Sequence, residues 1–270
     1  MTWTTRQRSE GAGALAYCVE GRGPAVVLIH GVGLRAEAWN AVSQALTPDF
    51  TVYTLDMPGH GASPLAGAAQ LNDYVARVLT FIHTLDAPIY LAGHSMGAMV
   101  AVEVAAQAPE KVAAVAGLNT IYRRSAEAAA AVQSRAAALT HLSAPDPTPT
   151  LARWFGAAPS GATAEAAAAC RSWLTQVDPD GYATAYGIFA RHNGPSEERL
   201  QRLQMPTLFQ TGAEDPNSTP GMSQAMAAKA SFGQALTVPG AAHMMPMTHP
   251  EAVAEALHSC FTRRFQADAD

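Results

Sequence analysis

The sequence predicts a mostly parallel, doubly wound α/β sheet with an all-helical cap inserted into it. Three observations carry this. Short β-branched apolar runs alternate with stretches of helical spacing as far as Asn119. Between residues 120 and 195 the text turns alanine-rich and helical. The strand–helix rhythm then returns at "PTLFQTG" and runs on to the last helix. Strands separated by helices imply parallel neighbours with helices on both faces of the sheet. The expected division is 1–119 and 196–270 for the α/β core, and 120–195 for the cap.

Taken in order, "ALAYCVEG" and "AVVLIHG" read as strands, with Gly21-Arg22-Gly23-Pro24 between them as a hairpin turn. "FTVYTLD" is a third strand, ending at Asp56 before the glycine- and proline-rich "MPGHGASP". Leu71, Tyr74, Val75, Val78, Leu79, Ile82 and Leu85 recur at helical spacing, with Asn72 or a neighbour as cap residue. "IYLAG" is a short apolar run of the kind buried in a parallel sheet. Residues 96–107 read as helix and "KVAAVAGLN" as strand. In the cap, "SAEAAAAVQSRAAAL" is a helix by alanine propensity and not a functional tract. "SAPDPTPT" is a loop there, and Asp178 with Pro179 starts another helix. "PTLFQTG" and "ALTVPG" are the last strands, and Pro250 opens the last helix.

With 49% hydrophobic and 14% charged residues, the 270-residue chain has a globular composition. A net charge of −5 and the lack of a basic block argue against nucleic acid or an anionic membrane as partner. No apolar run approaches the length of a membrane span, and "MTWTTRQRSEG" lacks the apolar stretch of a signal peptide. Cys18, Cys170 and Cys260 fit neither a zinc spacing nor a disulfide framework, and read as buried hydrophobes in a reducing cytoplasm. The expectation is a cytoplasmic monomer or homodimer that takes a small-molecule substrate and needs no metal or cofactor.

The chemistry starts from "LAGHSMGAMV", where Ser95 stands between Gly93 and Gly97. A buried strand precedes it and a helix follows, the setting of a G-x-S-x-G nucleophile elbow. Glycines keep side chains out of the tight turn, and the helix start aims N–H groups at charge forming near Ser95. A serine hydroxyl is a weak nucleophile until a base takes its proton. Of the nine histidines, His243 follows the last expected strand, at the carboxyl end of the sheet where α/β active sites lie. His83, His141, His192, His249 and His258 have ordinary helix or cap settings, and His94 points away from its neighbour Ser95 at the sharp turn. A carboxylate must hold the base in its tautomer. Glu214 and Asp215 both follow the "QTG" strand; Asp215, three residues past Gly212, is the choice, and Glu214 is solvated. The backbone N–H groups of Val32, in "HGVG", and of Met96 are the candidate oxyanion donors, with His30 as a brace of that loop.

"HGVG", "LDMPGHGASP", "GHSMGA", "GAED" and "GAAHMMPMTHPE", in this order over residues 11–119 and 200–265, resemble the α/β-hydrolase superfamily. The wording is similar to bacterial esterases, enol-lactonases and cofactor-free perhydrolases. The resemblance implies an α/β-hydrolase fold with the cap after the sixth strand, a structural part for Asp56, and a Ser95–Asp215–His243 triad. Ala98 departs from the second glycine that relatives often carry. In the cap, Trp154, Phe155, Trp173, Tyr182, Tyr186 and Phe189 are available to shape a pocket, with Met96, Met244, Met245 and Met247 from the catalytic loops. The expected pocket residues are Trp154, Tyr186, Met244 and Arg191, with Arg123, Arg124 or Arg191 as anchor for a substrate carboxylate. The function expected is hydrolysis of a small to medium carboxylic ester or lactone through an acyl-enzyme on Ser95. The alternatives are C–C bond hydrolysis of a dienoic keto acid with the same triad, and a slow hydrolytic ligand receptor.

Overall fold

The computed structural model describes residues 7–86, 88–139, 143–144 and 146–263. His141, part of the "SAPDPTPT" stretch and the first six residues of the N-terminal stretch lie outside these. The strands are β1 (Ser9–Gly11), β2 (Leu15–Gly21), β3 (Ala25–Ile29), β4 (Thr51–Leu55), β5 (Ile89–His94), β6 (Val112–Leu118), β7 (Thr207–Gly212) and β8 (Gly233–Val238). They form one sheet in the order β1-β2-β4-β3-β5-β6-β7-β8. β1 and β2 run antiparallel to their neighbours, and from β4 to β8 every pairing is parallel. The mostly parallel sheet is therefore the expected one. Among the described residues no helix is long and apolar enough to cross a membrane.

The hairpin between "ALAYCVEG" and "AVVLIHG" does not form. β4 lies between the two strands, so that Thr51 faces Gly21 on one side and Ala25 on the other. The glycines serve a crossing instead. A Cβ on Gly21 would lie 2.2 Å from the Phe50 carbonyl oxygen, and one on Gly23 would lie 2.3 Å from that of Asp49.

Strand alternation sorts the core into two layers. Val27, Ile29, Leu91, Val115 and Phe209 face one side, where they meet α2 (Leu71–Ile82) and α3 (Met96–Gln107). Val26, Leu28, Ala92, Ala116 and Leu208 face the other, against α1 (Asn40–Leu46) and the C-terminal helix (Pro250–Thr262). Phe209 is fully buried; truncating such a ring to alanine costs about 3–5 kcal/mol. The cap residue of α2 is Gln70, not Asn72: the Asp73 carboxylate reaches back to accept from the N–H groups of Ala69 and Gln70 at 2.8 and 2.9 Å.

Between β6 and β7 the chain forms α4 (Ala126–Ala137), α5 (Thr148–Phe155), α6 (Gly161–Gln176), α7 (Pro179–Arg191) and the short α8 (Glu197–Gln201). Ser125 caps α4 by accepting from Ala128 N–H, and Asp178 caps α7 by accepting from Gly181 N–H at 2.8 Å. Thr148-Pro149-Thr150, expected in a loop, opens α5, because proline is tolerated in a helix's first turn. Apolar residues of α5, α6 and α7 (Leu151, Cys170, Leu174 and Tyr182) join Leu34, Met244 and Met247 of the sheet loops in a third cluster. Beyond β7 come α9 (Pro220–Ala227), α10 (Met245–Thr248) and α11, the Pro250–Thr262 helix.

A buried ionic cluster fastens the loop that follows β3. Arg8 donates to Glu37 at 2.6 and 2.8 Å and to Asp56 at 2.6 and 3.2 Å. Asp56 also accepts from the N–H groups of Ala36 and Ala62, at 2.8 and 2.9 Å. Burial alone would raise the Asp56 carboxyl; the Arg8 guanidinium and these donors outweigh it and hold the group below its ordinary value. Among the described residues Arg8 is the cation that contacts both acids, and removing it leaves the Asp56 carboxylate without that cation in low dielectric, while Glu37 keeps Arg35 at 3.1 Å. Arg8→Ala should therefore cost about 3–5 kcal/mol in urea unfolding at pH 7; a loss below about 1 kcal/mol would show that the cluster is solvated.

Candidate active site

β5 ends at His94, and α3 begins at Met96, so Ser95 is the whole turn. Its backbone has φ 57° and ψ −119°, a strained conformation for a residue with a side chain, worth about 1–3 kcal/mol. The flanking glycines allow it. A Cβ on Gly93 would lie 2.1 Å from the Gly97 carbonyl oxygen, and one on Gly97 would lie 2.3 Å from that of Ile29.

The carboxyl ends of β7 and β8 bring two side chains to this turn. His243 Nε2 lies 3.2 Å from Ser95 Oγ, and His243 Nδ1 lies 2.8 Å from Asp215 Oδ2. Asp215 is buried, whereas Glu214 is exposed. Asn119 Nδ2 donates to Asp215 Oδ2 at 2.7 Å and the Asn217 N–H to Oδ1 at 2.8 Å. Burial pushes the Asp215 carboxyl up, but the His243 imidazole and these donors pull it further down, to about 2. The carboxylate is thus ionised at any working pH and accepts from His243 Nδ1–H, which leaves Nε2 free to take the serine proton.

The sequence reading missed Asn119 and His60. Asn119 follows β6 with φ 50°, a conformation that asparagine tolerates better than most residues. An asparagine directly after an apolar strand is the trace of it that the sequence carries. His60 Nε2 accepts from the Gly33 N–H at 2.9 Å, and His30 Nε2 accepts from the Met57 N–H at 3.0 Å. Together they set the loop that carries Val32. Gly33 and Leu34 N–H groups are spent within this loop, on His60 and on the Gly31 carbonyl. Among the described residues, no hydrogen bond is donated by the Val32 or Met96 N–H. Gly31, Val32, Ser95 and His243 line one pocket.

Leu34, His94 and Asn217 add to the wall of that pocket, and α4, α5 and α7 supply Val132, Arg135, Thr150, Arg153, Trp154, Tyr186 and Phe189. Trp154 stacks over His243, with centroids 6.1 Å apart and planes at 27°. Tyr186 Oη accepts from Arg135 Nε at 3.1 Å, and Thr150 Oγ1 accepts from Arg153 Nη2 at 3.0 Å. Neither arginine pairs with a carboxylate among the described residues. Two expected pocket residues lie elsewhere. Met244 is buried in the third hydrophobic cluster, with Met247 beside it. Arg191, at the end of α7, points away to a separate surface groove with Gln70 and Asn72 and donates to the Ala69 carbonyl at 3.4 Å. Arg123 is exposed and paired with Glu197. Arg124 is buried behind the pocket wall, 4.3 Å over the Phe189 ring, and donates to the His192 carbonyl at 2.8 Å. Burial lowers its pKa to about 10. Among the described residues no group of three or more His, Cys, Asp or Glu side chains is gathered for a metal ion.

The family and the relatives that this chain matches are hydrolases. The chain belongs to the alpha/beta hydrolase family, whose model matches residues 26–256. It is 40% identical over 247 residues to the (E)-2-((N-methylformamido)methylene)succinate hydrolase of Acinetobacter baylyi, covering 90% of this chain and 92% of that one. Over 95 residues, 35% of this chain and 36% of the relative, it is 42% identical to a pimeloyl-[acyl-carrier protein] methyl ester esterase of Methylococcus capsulatus. Among solved structures, a thermophilic esterase of Thermogutta terrifontis with malate bound superposes with a TM-score of 0.82 at 25% identity, covering 94% and 97% of the two chains. The enol-lactonase of Burkholderia xenovorans shares the fold, with a TM-score of 0.82 at 22% identity over 95% and 100% of the chains.

Two buried imidazoles near the site give a pH prediction. Burial first, and repulsion from a neighbouring histidine second, hold His30 and His94 down at about 3. The unfolded chain protonates both near pH 6.5 while the folded chain does not, so it binds more protons and stability falls as pH drops below that value. The expected slope grows from about half of 1.4 kcal/mol per pH unit for each histidine between pH 7 and 6 toward the full value below pH 6. Urea unfolding at pH 7, 6 and 5 reads it; a flat profile over that range would mean that the two rings charge in the folded state.

Proposed function

We propose that this chain is a serine hydrolase that works through an acyl-enzyme on Ser95 and takes a small carboxylate-bearing substrate. The observation that carries the reading is the continuous hydrogen-bonded line from Ser95 Oγ through His243 to Asp215 at 3.2 and 2.8 Å. Ser95 attacks the substrate carbonyl as His243 Nε2 takes its proton, and Asp215 stabilises the imidazolium. The Val32 and Met96 N–H groups receive the developing oxyanion. His243 returns the proton to the departing oxygen or nitrogen. A water then attacks the acyl carbon with His243 again as base, and Ser95 is released with the acid.

The substrate class rests on the pocket's charge and on the relative's name. Arg135 and Arg153 line an otherwise largely apolar pocket beside Ser95 without acidic partners among the described residues. Unpaired guanidiniums favour carboxylates, which they bind by charge-assisted hydrogen bonds. The Acinetobacter baylyi relative is named for a substrate with two carboxylates and a formamide. The reading for this chain is therefore a substituted methylenesuccinate or a similar dicarboxylate, cleaved at an ester, lactone or amide carbonyl.

Ser95→Ala should lower kcat by at least about 10³-fold on p-nitrophenyl acetate and on (E)-2-((N-methylformamido)methylene)succinate alike, with the fold intact. Near-wild-type turnover in the folded variant would end the serine mechanism. The substrate class has its own test. Arg135→Met and Arg153→Met should each lower kcat/KM for the dicarboxylate by about 10–100-fold, the value of a hydrogen bond to a charged group, and leave the neutral acetate within about threefold. Equal effects on both substrates would show that the arginines hold the pocket's shape and not a carboxylate.

A further inference from the structure

The loop that carries His243 is strung across the sheet by three consecutive carbonyls. The Ala241 oxygen accepts from the Glu214 N–H at 2.9 Å, just past the end of β7. The Ala242 oxygen accepts from Asn119 Nδ2 at 3.4 Å, at the end of β6. The His243 oxygen accepts from His94 Nε2–H at 2.8 Å, at the end of β5. Each tether comes from the next strand along the sheet, in the order β7, β6, β5. The last is the shortest of the three and acts on the residue that bears the imidazole. Its donor is the side chain next to Ser95 in the sequence.

We propose that His94 is a positioning residue that sets the distance between Ser95 Oγ and His243 Nε2. One hydrogen bond joins two segments that are 149 residues apart in the chain. The Ser95–His243 contact, at 3.2 Å, is the longer of the two in the line and gains most from being fixed. A serine–histidine pair that drifts by an ångström loses its near-attack geometry, a change that costs about 10²-fold in rate. The imidazole suits the task because it can donate while uncharged. His94 is buried with its ring centroid 5.0 Å from that of His243, and Asp215 and His30 are the other titratable groups that act on it. A neutral donor there sets no positive charge against the imidazolium that forms on His243. An arginine or lysine donor would do so. The neutral ring holds its proton on Nε2, where the carbonyl is, the opposite tautomer to His30, which donates to the Gly31 carbonyl through Nδ1.

This inference rests on the reading of Ser95 and His243 as nucleophile and base, and Ser95→Ala serves as its control. His94→Leu removes the donor and His94→Gln keeps an N–H of similar reach. Measured on p-nitrophenyl acetate, His94→Leu should lose about 10–100-fold in kcat with KM within about twofold, and His94→Gln should recover to within about fivefold of wild type. The proposal is overturned if His94→Leu stays within threefold of wild type, if the loss falls on KM, or if the leucine and glutamine variants are equally impaired, since His94 would then serve packing alone. An active Ser95→Ala enzyme would instead overturn the mechanism itself. Should the leucine variant not fold, nitrogen-15 NMR of the wild-type imidazoles decides. The resonance set missing from His94→Gln should be that of a neutral Nε2–H ring, and an Nδ1–H ring would overturn the proposal.

Discussion

Gly97, in the first turn of α3, sits so close to the end of β3 that a Cβ there would lie 2.3 Å from the Ile29 oxygen and 2.5 Å from that of His30. This contact between backbones fixes the other parts of the site. It forces the chain from β5 into α3 within one residue, and the strain falls on Ser95. It brings the loop of Gly31 and Val32 beside the same turn, so an unspent N–H on each side of Ser95 comes from main chain and not from mobile side chains. Because β3 and β5 are neighbours in the sheet, the contact is made by topology and needs no long-range adjustment.

Charge is arranged differently on the two sides of the pocket. Among the described residues of the sheet and its loops, buried charges meet counterparts: Arg8 meets Glu37 and Asp56, and Asp215 meets His243 and two N–H donors. The imidazoles that hold loops in place, His30, His60 and His94, are all kept below their ordinary value by burial, so they add hydrogen bonds without adding charge. In the helices between β6 and β7, Arg135 and Arg153 reach the pocket with only neutral partners among the described residues. The Ser95 side of the pocket is thus electrostatically balanced, and the opposite side presents positive charge to whatever enters.

Much of the sheet could be read from the sequence, because buried parallel strands are short apolar runs whose ends are marked by glycine, proline or asparagine. The elbow and the pair of Asp215 and His243 were legible for the same reason: strand ends lie together at one edge of a parallel sheet. The hairpin was not. Gly21 and Gly23 look like turn residues, and only the structure shows that they let the chain cross Asp49 and Phe50 as β4 slots in between. Of the pocket arginines, Arg135 was hidden by composition. Arg135 sits in an alanine tract that helix propensity fully explains, and its i,i+3 relation to Val132 is the one sign of a face turned to the pocket. Arg191, more conspicuous beside aromatic residues, lies past the last turn of α7 that faces inward. His94 was set aside because neighbours at a sharp turn diverge. It does diverge from Ser95, and that carries it to the His243 carbonyl.

Covalent labelling tests the central claim most directly. A small fluorophosphonate, added at stoichiometric concentration and followed by intact-mass and peptide mass spectrometry, should modify one residue per chain, and that residue should be Ser95. Asp215→Asn should keep the fold and slow the labelling by orders of magnitude, because His243 would then be held in the wrong tautomer, whereas Glu214→Gln should label like wild type. Modification at another residue, or wild-type labelling of Asp215→Asn with loss in Glu214→Gln, would contradict the account.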